Sequence, residues 1–548
     1  MLIKRRSFLA ASTLAVAAPR AALGQTRSRG VFTHGVASGD PLPDSIVIWT
    51  RFTGETVGWE VAEDEAFSRV VQSGQARASF ANDYCVKVDV RGLAPGRRYF
   101  YRFLSATDST VIGQTRTAPA GAIEQLKIGL FSCSNMPFGY FHAYGHAAAR
   151  DDIDLVLHVG DYIYETPRGS YPSETEAVPG RVIDPVSETA SLSDYYQRYA
   201  SYHTDANLLE LRRTKPISSV WDDHELVNNA WRNGAPNHNA PYEGDYQIRI
   251  AAAAKAYFDW MPIRRPGPLQ LYRHLDWGDL ARIVLLDARY IGRDEQIDYR
   301  NTLAPQLAQG GAEARAAAEA FRVNVLGAPT RSMLGAAQEQ WFARTLASSK
   351  QRGQTWQVVA QQIVVGDQFA PAETTRLFSE SLSAGSRQWF TSGVEMAALG
   401  LAWNTDAWAG YPAARQRFLD ACAQHANNAV VLGGDSHNCW VNNLAAPGGG
   451  RLAALEFATG SVTSPGFERS LTEAGAGERE ALFRAANPHM AWCDLTNRGY
   501  ARLNFTRDGC ETDWHAFNSV RAPQAPAPIV TRMSAAASAS GGPGAWTL

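Results

Sequence analysis

Short runs of aromatic and β-branched residues dominate the chain from about residue 30 to 118. SIVIWTRF (45–52), VKVDVRGL (86–93) and RRYFYRFL (97–104) are separated by clusters of Gly, Pro, Asn and Asp at 39–44, 81–83 and 92–97. Strand formers punctuated by turn formers predict a small all-β sandwich over 30–118. RTAPAGA (116–122) reads as a linker. From Leu126 the pattern changes to longer apolar runs: KIGLFSCS, IDLVLHVGD, ISSVWDDHE, ARIVLLDARY, TWQVVAQQIVV and NAVVLGGDSH. Nearly all of them end in polar or charged residues. Between them lie helical stretches such as GAEARAAAEAFRV and LGAAQEQWFARTLASS. Buried strands alternating with helices predict a layered α/β domain over 122–520. A late hairpin is predicted to turn at Asp508-Gly509. The Pro-, Ala-, Ser- and Gly-rich stretch 521–548 reads as a tail, flexible or laid over the surface.

In open α/β sheets, ligands bind beyond the carboxyl ends of the strands. Those ends carry Cys133, Asp161 with Tyr164, Asp222-Asp223-His224-Glu225, Asp287, Gln361-Gln362, and Asp435 with His437. Taken singly, each has an ordinary structural use: an Asp caps a helix, a Cys packs as a small hydrophobe, and a Tyr or His fills the core. Taken together, in the order GDxxY, WDDHE and GGDSH, they bring carboxylates, a phenol, a thiol and an imidazole to one edge. Converging anions repel unless cations neutralise them, so the set predicts metal. Thiolate, phenolate and imidazole suit a transition metal such as iron, and carboxylates and amide oxygens suit calcium, magnesium or manganese. Cys133 and His437 also suit zinc. Two cations about 3.5–4 Å apart would clamp a phosphoryl group and activate a water or hydroxide.

The bulk numbers narrow the function classes. The chain has 548 residues with a formal net charge of −2. Nucleic-acid binders carry a basic surplus, and no such surface is evident here. Outside the N-terminus no apolar run reaches a membrane-spanning length, so no membrane span is expected. The N-terminus, MLIKRRSFLAASTLAVAAPRAALGQT, pairs Arg5 and Arg6 ahead of a short apolar region and the small-residue pattern Ala22-Leu23-Gly24. Residues 1–24 therefore read as a twin-arginine signal peptide that engages the twin-arginine export machinery, giving a periplasmic or secreted protein. Its removal would leave a mildly acidic chain of about −6. That route carries folded proteins, often with a metal in place, which fits the predicted centre. The six cysteines show no CxxC spacing, so neither a zinc ribbon nor a thioredoxin motif is supported, and their pairing stays open.

The same motifs carry a resemblance. HGVASGDPLPDSIVIWTR (34–51), SCSN (132–135), HVGDYIYE (158–165), WDDHE with NN (221–229), WGDLARIVLLDARY (277–290), LGAAQEQWF (334–342) and GGDSHNCW (433–440) resemble the alkaline phosphatase D (PhoD) family. That family lies within the metallophosphoesterases, which include the purple acid phosphatases. The resemblance implies a fibronectin type III or Ig-like N-terminal domain and a four-layer α/β/β/α catalytic sandwich. It implies Fe3+ held by Cys133, Asp161, Tyr164 and His437, with Asp161 bridging to Ca2+. Asp222 or Asp223, Asn229 and Asp435 would complete the calcium side: the superfamily motif favours Asp223, and the spacing to Asn229 favours Asp222. His224 would face the substrate or leaving group.

The implied activity is hydrolysis of a phosphomonoester or phosphodiester substrate by a metal-activated hydroxide, for phosphate scavenging. The tail is expected near the site. By position alone, Arg168 and Arg289 are candidates to orient phosphate. Competing readings are a phospholipase D-like or nucleotidase-type hydrolase on the same site, a Zn2+ enzyme on the same skeleton, and an inactive binding protein. Trp403, Trp408 and Tyr411 either line a substrate groove or pack, and the loop at 166–194 is expected at the site mouth.

Overall fold

The computed structural model describes residues 31–307, 310–446, 449–472, 475–538 and 541–548. The signal-peptide reading of residues 1–24 lies outside the described residues. The first seven strands are β1 (Phe32–Leu42), β2 (Ser45–Phe52), β3 (Thr56–Ala62), β4 (Val70–Arg77), β5 (Cys85–Arg91), β6 (Arg98–Leu104) and β7 (Gly113–Arg116). Next come β8 (Gln125–Phe131), β9 (Leu155–His158), β10 (Pro216–Ser219), β11 (Arg273–Trp277), β12 (Ala281–Leu285) and β13 (Trp356–Ala360). The last are β14 (Asn428–Gly433), β15 (Cys439–Ala445), β16 (Leu452–Ala458), β17 (Met490–Asp494), β18 (Arg498–Thr506), β19 (Gly509–Phe517) and β20 (Ile529–Ala536).

The N-terminal β domain packs the sheet β4-β3-β6-β7 against β1, β2 and β5. Ile46, Ile48, Val57, Val61, Tyr101 and Phe103 fill the space between them. The second of these sheets does not stop at the domain. β1 pairs in parallel with β10 through Ser38↔Pro216 and Gly39↔Ile217. A Cβ on Gly39 would collide with the carbonyls of Ile217 and Pro262, so this close junction needs glycine there. One continuous nine-stranded sheet results, in the order β20-β19-β18-β8-β9-β10-β1-β2-β5.

A second sheet, β11-β12-β13-β14-β16-β15-β17, packs on the first. Side chains alternate across a strand, and the pattern is visible in β13. Trp356, Val358 and Ala360 enter the core between the sheets, while Val359 faces the helices Ala336–Gln351 and Pro412–His425. On the other side, Tyr144, Tyr199 and Leu211 from the helices His142–Ala148, Leu192–Tyr202 and Ala206–Thr214 join the core beneath the nine-stranded sheet. The architecture is therefore a four-layer α/β/β/α sandwich preceded by an all-β domain.

The stretch 521–548, read from composition as a tail, contains the edge strand β20, paired with β19 from Gly509↔Ala536 to Ala516↔Ile529. Trp546 is only 5% exposed and donates its indole N–H to the Glu456 carbonyl. The stretch is anchored by main-chain pairing and one tryptophan rather than by an apolar run, which is why composition hid it. All six cysteines are buried and unpaired. Among the described residues, no helix is long and apolar enough to cross a membrane.

Candidate metal centre

Strands β8, β9 and β10 run parallel in one sheet, and β12, β13 and β14 run parallel in the other. The carboxyl ends of each trio thus emerge at one edge, and the edges face each other. The loops leaving them can approach because two glycines permit it. A Cβ on Gly160 would strike Asp222, and one on Gly434 would strike the Ser132 hydroxyl. Cys133, Asp161, Asn229, Asp435 and His437 all have positive φ, between 55° and 63°. Left-handed backbone at a non-glycine residue costs about 1–2 kcal/mol, and such strain collects at functional sites.

The predicted ligands come together in three overlapping groups whose donor atoms lie within 4.8 Å of one another. Cys133, Asp161 and His437 form the first, Asp161, Asp223 and His224 the second, and Asp222, Asp223 and Asp435 the third. Asp161 belongs to two of them. The Tyr164 hydroxyl donates to Asp161 Oδ2 at 2.9 Å and lies 3.2 Å from His437 Nε2. It also accepts from Ser464 at 2.7 Å. His437 Nδ1 is placed to donate to the Pro465 carbonyl at 2.9 Å, which leaves Nε2 as the lone-pair donor. Burial, with Arg498 adding to it, pushes His437 down to about 3, so the ring is neutral, as a metal ligand must be.

Burial pushes the Cys133 thiol, the Tyr164 phenol and the Asp161 carboxyl well above their ordinary ranges. Asp161 Oδ1 and Asp222 Oδ2 are buried without a hydrogen-bond partner. Orphaned carboxylate oxygens beside a thiol, a phenol and a neutral imidazole are a donor set that fits cations. Asn229 donates its backbone N–H to Asp223 Oδ2 at 2.6 Å.

The acid-rich side is organised around Arg289. This guanidinium is completely buried and pairs with Asp222, with Asp406 at 2.7 Å, with Asp435 at 3.1 Å and with Asp223 at 3.7 Å. Burial alone would raise Asp223, but Arg289, His224 and the Asn229 amide outweigh it and hold the carboxyl at about 2. Arg289 is thus engaged by carboxylates. Arg168 bonds the Ile183 carbonyl and Asp184, and among the described residues it makes no hydrogen bond or ion pair with the ligand set. His224 Nδ1 lies 2.6 Å from Glu165 Oε2, and Glu165 also accepts from the Asn228 amide at 2.8 Å. Burial lowers the His224 imidazole, but Glu165, Asp161 and Asp223 raise it further, well above its ordinary value.

Glu225 accepts the backbone N–H groups of Asp161, Tyr162 and Asp222 at 3.0, 2.6 and 2.7 Å, and so ties two ligand loops together. Asp287 caps its own turn, accepting from the amides of Arg289 and Tyr290. Gln362 bridges Trp221 and Ala288, and Gln361 holds Trp408. These strand-end residues fix loops. Sequence reasoning gave no role to Glu165, Asp406 or Ser464. Glu165 adjoins a motif, but Asp406 lies far from any strand end and Ser464 six residues past β16, and nothing local marks them. Trp408 and Tyr411 are core residues, and Trp403 packs in a separate core cluster while also lining a cavity.

With this geometry in hand, the comparisons are specific. The family model described as PhoD-like phosphatase matches residues 128–514, and the PhoD-like phosphatase N-terminal domain model matches residues 16–119. The chain is 34% identical over 529 residues to alkaline phosphatase D of Bacillus subtilis (strain 168), covering 92% of this chain and 80% of that protein. A solved structure described as the structure of PhoD superposes with a TM-score of 0.73 at 30% identity, covering 94% of this chain and 92% of the other. The chain belongs to the PhoD-like phosphatase family.

Proposed function

We propose that this protein is an exported, metal-dependent phosphohydrolase that cleaves phosphomonoesters and phosphodiesters. The observation that carries this reading is the sharing of Asp161 between a Cys/His group and an Asp/His group at the facing edges of two sheets. The relative named alkaline phosphatase D supports the phosphoester class. Cys133, Asp161, Tyr164 and His437 would hold ferric iron, and Asp161, Asp222, Asp223, Asn229 and Asp435 would hold calcium. When bound, such cations neutralise phosphoryl oxygens and lower the pKa of water. The phenol of Tyr164 favours iron over zinc, because a phenolate is a hard, anionic donor.

The chain's own residues complete the chemistry. Glu165 fixes the His224 ring and keeps it protonated, so His224 Nε2 serves as the proton donor to the leaving oxygen. Arg289 pairs with Asp222, Asp223 and Asp435 and fixes their side chains in place, and it helps hold Asp223 ionised. The twin arginines Arg5 and Arg6 support export. The test combines hydrolysis of 4-nitrophenyl phosphate and bis(4-nitrophenyl) phosphate with metal analysis of protein purified without chelators. About one iron per chain, calcium, and turnover of the diester are expected. Zinc in place of iron would move the assignment to the zinc enzyme, and a metal-free, folded, inactive protein would overturn the proposal.

A further inference from the structure

A cavity of about 920 Å³ opens beside the metal centre, and the mechanism above makes no use of it. Its inner wall includes Asn229, whose amide holds Asp223, and Asp406, which pairs with Arg289. Its outer walls come from chain inserted after the carboxyl ends of β12 and β13, chiefly Glu295, Gln296, Asp298 and Tyr299 and the helix Ala384–Ala397. Such segments set ligand preference in layered α/β folds. The volume suits an organic group rather than a bare phosphate.

The lining has a consistent chemistry. Glu295, Asp298, Glu395 and Asp406 supply four carboxylates, of which Asp406 is already paired with Arg289 and Arg293, and the described lining residues include no Lys, Arg or His. Glu295 and Glu395 enter no ion pair among the described residues. Trp389 and Trp403 form an aromatic wall with ring centroids 4.9 Å apart, and Trp389 is 40% exposed although large and apolar. Tyr299 lines the cavity at 8% exposure, and its hydroxyl has no hydrogen-bond partner. Gln296 Oε1 is likewise buried and unpartnered there. Aromatic faces together with unpaired carboxylates attract organic cations, and an unpartnered buried hydroxyl marks a place where a ligand group would be welcome.

We propose that this cavity receives an organic substituent of the phosphoester, and that it selects substituents bearing an ammonium or quaternary ammonium nitrogen. The inference rests on the phosphohydrolase reading and specifies its substrate class. Cleavage itself is unchanged: water adds to phosphorus and the alcohol leaves with a proton.

The test uses two diesters that differ only in charge. One is 2-(trimethylammonio)ethyl 4-nitrophenyl phosphate, and the other is its carbon isostere, 3,3-dimethylbutyl 4-nitrophenyl phosphate. The metal-loaded enzyme is expected to prefer the cationic diester by about tenfold in kcat/KM. The double variant Glu295→Gln/Glu395→Gln should bring that ratio close to one, and a ratio cancels any general loss of activity. A ratio of one in the native enzyme, or an unchanged ratio in the variant, overturns the cation assignment. Bis(4-nitrophenyl) phosphate separates this failure from failure of the phosphohydrolase reading, which would appear as no hydrolysis at all. Binding decides the cavity independently of turnover. Choline should quench tryptophan fluorescence at lower concentration than 3,3-dimethylbutan-1-ol, and Trp389→Phe should remove the difference. Equal concentrations for the two alcohols would refute the proposal.

Discussion

Asp161 sits with Cys133, Tyr164 and His437 where no Lys or Arg pairs with it among the described residues, while Arg289 touches four carboxylates on the adjoining side of the same centre. The consequence appears in the acids. Burial drives the Asp161 carboxyl far up; on the Arg289 side, Arg289 and His224 hold Asp223 at about 2, while burial still raises Asp222 to about 7 and Asp435 well above its ordinary value. One half of the centre therefore has no Lys or Arg beside its shared acid among the described residues, and the other carries the Arg289 guanidinium.

The sharpest way to break this contrast is Arg289→Met, which strands four acids around an uncharged side chain. Removing one partner from a buried ionic cluster costs about 3–5 kcal/mol. Urea denaturation should show a loss of that size, partly restored by millimolar calcium. Unchanged stability would mean that the two halves do not differ as argued. Asp161→Asn acts on the carboxylate that two of the donor groups share. It should lower kcat more than about 100-fold, beyond the range typical of supporting residues, with iron and calcium content falling together. If only one metal were lost, Asp161 would belong to one half alone.

Glu165→Gln removes the charge behind His224 and leaves the ligands in place. A loss of kcat of about 10–100-fold is expected, with the alkaline limb of the pH profile moving to lower pH as His224 loses its proton more easily. An unmoved profile would place the leaving-group proton elsewhere. On the proposed iron assignment a phenolate-to-iron charge-transfer band is expected, and Tyr164→Phe should abolish it while changing kcat less than about tenfold. Retention of the band would assign the colour to another donor.

A second contrast, between two buried histidines, is small at each unit of pH and is read as a slope. His224 is held protonated by Glu165, whereas burial without a charged partner pushes His158 down to about 3. The unfolded chain binds the His158 proton below its ordinary value of 6.5 and the folded chain does not. Its contribution is thus complete above pH 6.5 and is lost as pH falls towards 3. Stability should decline by about 1.4 kcal/mol per pH unit from this residue, and His158→Gln should make the decline shallower by that amount.

Much of the centre was legible in the sequence because its parts follow strands. GDxxY, WDDHE and GGDSH each close an apolar run, and the loops that carry them do meet. Arg289 was marked by its place after β12, but its burial among acids was not, because pairing partners at 222, 406 and 435 have no local signature. Arg168 shows the converse. Its position after the GDxxY motif suggested phosphate, and its guanidinium instead braces the loop at Ile183 and Asp184.

What the sequence determined alone was the layered α/β class, the small β domain ahead of it and the donor types at the strand ends. Apolar periodicity and strand-terminal polarity are local properties, and they are read directly from neighbours in the chain. Tertiary structure decided the rest. It continued the β domain into the catalytic sheet through the Gly39 junction, turned a Pro- and Ala-rich stretch into an edge strand, and brought Asp406 and Arg289 together from residues 117 apart in the chain. It also walled the cavity with carboxylates and tryptophans from separate insertions. These outcomes depend on main-chain pairing and on charges meeting across long separations, and neither leaves a periodic trace in the order of residues.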